Sequence, residues 1–447
     1  MKPSSVIAPR RSHHDRLDRA AEIRERDRRH VWHTWSPLSA DRSALTLSHG
    51  SGYRVWDIDG REYIDASALN STCGYAHPHV QQAISAQAAR LHHFDLSLAA
   101  NVPAGLLAER LASYLPAGMT KTLFVNSGSE GFEAALLIAA AYHRHIGAPR
   151  SRVVGFARGY QGTTIGCRSM STLPRSRHGL RAPAPMTLVD LPLAPRELRR
   201  PEALPALLAE FERAIGTDPA DLPMAVVVEP FLNVGGGVVL PPGFLRRLRS
   251  LCDATGTLLI VDEVFTAYGR AGSMFACLRE DVTPDILVSS KGLSGGYVPI
   301  AAVNVAGHVH DTFGSDPVIG GLRYGHTTSG HAIACTAALA TLDVVERERL
   351  VHRAEQLGGV LLDRFQALAD HPDVVDVRRL GLILVLEMSG AEAASRLLAS
   401  ARETGLLLRQ QTAAVMAVPP LVIDDRGAAE LTVRLARALD RMDVDHA

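Results

Sequence analysis

The stretch Pro284-Asp285-Ile286-Leu287-Val288-Ser289-Ser290-Lys291-Gly292-Leu293-Ser294-Gly295-Gly296 reads as a short apolar strand that runs into a lysine and then a Gly/Ser turn. Scarcity sets this lysine apart, because among 47 basic residues only Lys2, Lys121 and Lys291 are lysines. Arginine stays protonated in proteins, whereas a desolvated lysine gives up its proton readily and can form a Schiff base. An ordinary strand-capping lysine also satisfies the segment taken alone, so the surrounding chain has to decide.

Working outward, nearly continuous apolar runs at Ala225-Val226-Val227-Val228, Leu258-Leu259-Ile260-Val261, Ile286-Leu287-Val288 and Ala301-Ala302-Val303-Asn304-Val305 alternate with helical segments. Strands of that texture with helical crossovers predict an α/β fold whose mainly parallel sheet is covered on both faces. Upstream, Thr122-Leu123-Phe124-Val125 leads through Asn126-Ser127-Gly128-Ser129-Glu130-Gly131 into an apolar helix. Residues 53–65 alternate in polarity around Asp59-Gly60 and predict a hairpin. The charged residues 1–30 predict a solvated helix or an unstructured arm. Residues 171–223, rich in proline and arginine, predict a surface excursion with one helix at 202–215. From about Gly325 two long helices, short strands near 374–377 and 382–385 and a closing helix at 426–442 predict a smaller α+β domain. The resulting division is an N-terminal arm and hairpin (1–78), a large α/β domain (79–325) and a C-terminal small domain (326–447).

Composition narrows the function classes. The 447 residues carry 47 acidic against 47 basic groups, so no overall field favours nucleic acid or an anionic membrane. The five cysteines are scattered without metal-ligand spacing, which points to a reduced, cytoplasmic setting and to neither zinc nor disulfides. No apolar run approaches the ~18 residues of a membrane span, and the N-terminus lacks the apolar core of a signal peptide.

Three features fall at predicted strand ends, where open α/β sheets bind ligands. Ser127-Gly128-Ser129 opens a helix, so its amides and hydroxyls suit a phosphate, although a plain N-cap needs the same residues. Asp262 ends a wholly apolar strand, a costly place for a carboxylate unless a cation or several donors meet it; loop amides would also serve. Lys291 is the third. A phosphate cradle, a buried acid and an imine-forming lysine are jointly what pyridoxal 5′-phosphate (PLP) requires.

From about Val31 to the last helix the chain resembles the class III PLP-dependent aminotransferases of fold type I. The resemblance rests on Leu258-Leu259-Ile260-Val261-Asp262-Glu263-Val264, then Tyr268-Gly269-Arg270-Ala271-Gly272, then Pro284 to Lys291. It implies that Lys291 carries the cofactor and moves the substrate proton, and that Asp262 pairs with the pyridine nitrogen. It further implies that Ser127, Gly128 and Ser129 hold the phosphate and that Tyr160 stacks on the ring. Thr327 would reach the phosphate in a neighbouring subunit, which implies a homodimer with shared sites. Glu229 matches an acidic residue of the family. The partners implied are a small-molecule amino donor and a carbonyl acceptor, with no nucleic acid and no membrane.

Departures from the family bear on substrate. The ornithine and 4-aminobutyrate branches usually carry an arginine three residues before the final Pro-Pro, where this chain has Met416, and a glutamate where it has Val234. Thr163 likewise replaces an arginine found in some of them. Arg409 resembles the carboxylate-binding arginine of the amine:pyruvate and diaminopelargonate branches, a bidentate role. The paired tryptophans of diaminopelargonate enzymes fall near Ala68-Leu69, which argues against that substrate. Phe265 stands where many members place a glutamine. The expected reaction moves an amino group between a small amino acid and an aldehyde, ketone or keto acid; racemisation, epimerisation or decarboxylation on the same scaffold is the alternative.

Overall fold

A computed structural model describes residues 13–41, 44–171 and 184–444. Its centre is a seven-stranded sheet in the spatial order Lys121–Val125, Ala301–Val305, Ile286–Ser289, Leu258–Asp262, Ala225–Val228, Val153–Phe156, Met186–Val189. Ala301–Val305 runs antiparallel to both neighbours, and the other pairings are parallel. Side chains alternate between two cores, as a strand buried on both faces requires. Leu259, Val261, Val226, Val228 and Leu287 join one cluster, while Leu258, Ile260, Ala225, Val227, Ile286 and Val288 join the other. At about 1.5–3 kcal/mol per fully buried aliphatic side chain, this double burial fixes the strands rigidly.

Two of these strands escape the sequence reading. Val153–Phe156 is four residues of Val-Val-Gly-Phe, and Met186–Val189 pairs with it in parallel at the sheet edge. Residues 171–223 are therefore not only a surface excursion. They return to the sheet once and also carry a short helix, Pro195–Leu198, besides Leu204–Ile215. Pro174 and Pro183 lie outside the described residues. His13–His30 is helical, and its described side chains are mostly exposed.

The expected hairpin forms, with Arg54–Asp57 against Glu62–Asp65 and Gly60 in the left-handed region at φ 87°. Its second strand also pairs in parallel with Leu406–Leu407, so chain segments 342 residues apart (Ile64 with Leu406) share one small sheet. A second four-stranded sheet, Val374–Leu380, Ile383–Met388, Ala414–Ala417 and Arg409–Gln411 in spatial order, lies in the C-terminal region. The helix Ala332–Arg347 links the two regions, because Ala334, Ala338 and Leu342 enter the large-domain core while Val344 and Val345 enter the C-terminal one. Among the described residues no helix is long and apolar enough to cross a membrane.

Adjacent glycines in the helix Leu350–Gln366 show how tightly this region is packed. A Cβ at Gly358 would sit 2.0 Å from the Gly381 carbonyl oxygen, whereas one at Gly359 would meet nothing within 4 Å. Helix propensity favours alanine over glycine by about 0.8–1 kcal/mol at either site. Gly359→Ala is therefore expected to raise unfolding stability by up to about 1 kcal/mol. Gly358→Ala, whose added methyl meets backbone, is expected to lower it by about 1–3 kcal/mol. Denaturant titration of both variants checks the opposite signs.

Candidate active site

Three adjacent parallel strands end on the same edge of the sheet, and each delivers an ionisable group. Ala225–Val228 is followed by Glu229, Leu258–Asp262 ends in Asp262, and Ile286–Ser289 leads through Ser290 to Lys291. The register pairs Val261 with Val228 and Asp262 with Val288, which brings Glu229 beside Asp262. Together they border a cleft of about 370 Å³ that also takes in Ser127, Gly128, Ser129 and Tyr160.

The electrostatics follow from burial. Desolvation lowers the Lys291 amine below its ordinary range and Arg409 adds to this, while the charges of Asp262 and Glu229 oppose it. Burial pushes Asp262 up from the carboxylate range, against the Val264 amide (2.9 Å) and Lys291, which stabilise its anion. Burial, then the Asp262 charge, raises Glu229 strongly, although it accepts the Tyr160 amide at 2.8 Å. Among the described residues neither carboxylate has an ion-pair partner within 4 Å. Lys291 itself sits at φ 33°, a strained value for a side-chain-bearing residue, and its Nζ lies 5.9 Å from the Phe265 ring centre.

The helix Gly128–His145 supplies the opposite wall. Ser127 is its N-cap: the Ser127 hydroxyl accepts the Glu130 amide at 3.2 Å, and Glu130 accepts the Asn126 and Ser127 amides. The plain N-cap reading is thus correct, and it leaves the Gly128 and Ser129 amides without an acceptor among the described residues. Ser129 Oγ accepts the Thr163 amide at 3.3 Å. A Cβ at Gly162 would fall 2.2 Å from Ser129 Oγ, so glycine there keeps the pocket open.

Tyr160 is half-buried under Trp35, whose ring meets it edge-on at 6.2 Å. Thr327 is exposed and does not border its own chain's cleft; next to it Thr328 donates to Asn126 Oδ1 at 2.7 Å, and Tyr324 donates to the Glu130 carbonyl at 2.9 Å. Arg409 does not border the cleft either, yet its charge acts on Lys291, and no ion pair or hydrogen bond engages its guanidinium among the described residues. It faces Met416 across the hairpin register, so the two positions considered for a carboxylate-binding arginine are cross-strand neighbours. Sequence reasoning missed Asn70, Phe231 and Asn233 on the cleft wall. Asn70 left one trace, a glycine at 296, where a Cβ would approach the Asn70 amide nitrogen to 2.8 Å.

A family model for class III aminotransferases matches residues 37–439. The chain belongs to that family. It is 36% identical to the adenosylmethionine-8-amino-7-oxononanoate aminotransferase of Nitratidesulfovibrio vulgaris, over 91% of this chain and 79% of that protein. It is 34% identical to an omega-aminotransferase of Caulobacter vibrioides, over 92% and 97%. Among solved structures, an (S)-enantioselective omega-transaminase from Thermomicrobium roseum superposes with a TM-score of 0.88 at 30% identity, covering 95% of this chain and 99% of that one. The omega transaminase of Pseudomonas jessenii in complex with PMP gives 0.89 at 29% identity, covering 94% and 98%. This aminotransferase is a fold type I, PLP-dependent enzyme that transfers amino groups.

The cleft fits that cofactor on its own terms. A buried carboxylate lacking a cation, two amides lacking acceptors at a helix start, and an amine with a lowered pKa are complementary to a protonated ring nitrogen, a phosphate and an aldehyde, respectively. The coupling between the charges can be measured without cofactor. Because the Asp262 anion raises the Lys291 pKa, Asp262→Asn in cofactor-free protein is expected to shift the amine's titration to lower pH. The pH profile of Lys291 acylation, read by peptide mapping, checks the direction; a shift to higher pH would contradict it.

Proposed function

We propose that Lys291 is the covalent anchor of PLP and the general base of the transfer, and that Asp262 holds the ring nitrogen protonated. Ser127, Gly128 and Ser129 receive the phosphate, with Tyr160 over the ring. The observation that carries this reading is the uncompensated charge set at three neighbouring strand ends. PLP supplies an electron sink at the carbon to which the migrating amino group is attached. The protein's own part is to keep Lys291 deprotonated often enough to accept a proton, and Asp262 anionic beside a cation. Glu229 contributes by position: it accepts the Tyr160 amide at 2.8 Å and lies 3.4 Å from Gln161 Nε2, fixing the loop that carries the stacking tyrosine.

For substrates, we infer a small amino acid on one side of the reaction and an aldehyde, ketone or keto acid on the other. Arg409, whose guanidinium has no ion-pair partner among the described residues and whose charge acts on Lys291, is the carboxylate partner. Part of the cleft wall is apolar: Phe231 and Phe265 border the cleft and are backed by Val385 and Met416 in one buried cluster, against which Leu69 packs. That wall suits a hydrocarbon side chain on the amine. Leu69 packs against this cluster near the position where the family resemblance would place a diaminopelargonate enzyme's tryptophan, so the name of the Nitratidesulfovibrio relative is not extended to this chain.

A homodimer with shared sites is part of the proposal. It is supported by apolar side chains left bare, among them Trp32 (87% exposed), Leu98 (77%), Val102 (74%) and Val318 (65%), and by the outward-facing Thr327. Five buried free cysteines accord with a reducing, cytoplasmic setting. The division into residues 1–78, 79–325 and 326–447 is retained, with the hairpin of the first segment docked on the third.

Two variants test the assignment. Lys291→Ala is expected to lose the visible absorbance of covalently held PLP and to slow transfer by at least about 10²–10⁴-fold; an unchanged visible band would refute the lysine's role. Arg409→Met is expected to raise KM for the carboxylate-bearing substrate by about 10–100-fold, the loss of a charge-assisted pair, with KM for a simple amine nearly unchanged. Steady-state kinetics with both substrate types separates the two effects.

A further inference from the structure

Arg378 is 2% exposed, lies on the C-terminal strand Val374–Leu380 and does not border the cleft. Its Nε donates to the Gly237 carbonyl at 2.7 Å and its Nη2 to the Gly236 carbonyl at 2.9 Å. Its Nη1 meets Asp376 at 2.9 Å and Glu387 at 2.5 Å, so the guanidinium is charge-balanced within its own sheet while its remaining donors reach across to the large domain. The carbonyls it holds belong to the tip of a small hairpin, in which Phe231 pairs with Val239 and Leu232 with Val238. The base of that hairpin follows Glu229, and its Phe231, Asn233 and Val234 are part of the cleft wall.

The tip has no freedom to settle elsewhere. Gly236 and Gly237 take φ 112° and 64°, in the left-handed region that favours glycine. A Cβ at Gly237 would lie 3.0 Å from the Val385 methyls, and one at Gly235 would lie 2.7 Å from the Arg158 carbonyl oxygen. The tip is therefore wedged between the C-terminal sheet and the large domain, and Arg378 is its polar fastening. Arg199 makes a second tie to the same strand, donating to the Val377 carbonyl at 2.9 Å and meeting Asp376 at 2.8 Å.

We propose that Arg378 is a positioning residue for substrate: by clasping the Gly236 and Gly237 carbonyls it sets where Phe231, Asn233 and Val234 stand, and so couples the placement of the C-terminal domain to the shape of the substrate-side wall. This rests on the reading of the cleft as the transaminase site. The fork of the guanidinium is what the role requires, because one planar group spans two consecutive carbonyls and two carboxylates, and a lysine ammonium cannot.

Arg378→Lys tests this in the PLP-loaded enzyme, since it keeps the positive charge beside Asp376 and Glu387 and removes the fork. The expected result is a KM for the amine substrate raised about tenfold or more, with kcat within about threefold and PLP absorbance unchanged. Faster amide hydrogen exchange over residues 233–237 is expected alongside. Glu387→Gln, a milder change that weakens the anchor of Arg378, is expected to shift KM in the same direction by a smaller factor, and it serves if the lysine variant does not fold. An unaltered KM and unaltered loop exchange in the folded variants would overturn the proposal, as would a parallel fall of kcat, PLP content and melting temperature without a KM change. Failure of the transaminase reading is distinguishable, because it would appear in the wild-type protein as a lack of amino transfer.

Discussion

Everything in this molecule is arranged around a set of buried charges that do not cancel among themselves. Lys291, Asp262 and Glu229 stand at the ends of three neighbouring parallel strands, close enough to feel one another's charge and, among the described residues, without an ion pair. Removing a carboxylate from water costs several kcal/mol, and that cost persists unless a partner or a ligand meets it. A flexible scaffold would relax by letting the groups swing into water. The sheet prevents this, because each strand leading to them is apolar on both faces and packed into two cores. The double burial of Leu258 to Val261 is thus what keeps Asp262 in an environment that favours a cationic partner. Strand rigidity here is part of the chemistry.

Arginine plays the complementary structural role. Arg270, 4% exposed, donates to the carbonyls of Leu382 (3.3 Å) and Pro419 (2.7 Å), and Arg152 donates to the Ala214 and Ile215 carbonyls. Each acts as a bracket across segments far apart in sequence. These positions need several fixed donors and a charge that persists on burial, which suits a guanidinium. The reverse holds at the strand end, where a group that can exchange its proton is needed. A chain so rich in arginine and so poor in lysine makes this division of labour visible.

How much of this could be read from the residues follows the same logic. Asp262 was legible because a carboxylate directly after four apolar residues breaks a local pattern, and Lys291 because it is one of only three lysines in an arginine-rich chain and follows an apolar strand. The helix start at Ser127 was legible from its capping residues, which the structure uses as an N-cap while leaving two amides over. Val153–Phe156 and Met186–Val189 were not, since four residues are too short to show a period and the second follows a proline-rich tract. Asn70 and Asn233 come from loops whose positions depend on contacts far away in sequence, Asn233 on a hairpin tip gripped from residue 378. No window of local sequence contains that information.

The substrate side shows the same dependence on tertiary register. Arg409 and Met416 look unrelated in sequence, seven residues apart with a turn between them, yet the ladder sets them directly opposite each other. Cross-strand partners share a face, so a cation at either position would address overlapping space. With methionine at 416, in one buried cluster with Phe265 and Val385, this pair of facing positions carries a guanidinium on one strand and hydrocarbon on the other. Val234 joins the apolar side where a glutamate would have given an arginine at 416 its partner. The two replacements are consistent with each other physically, since either charge alone beside this wall would be desolvated and unpaired. Under the proposed reading, Arg409 is thus the cation on this face, set directly across the ladder from the buried hydrocarbon of Met416.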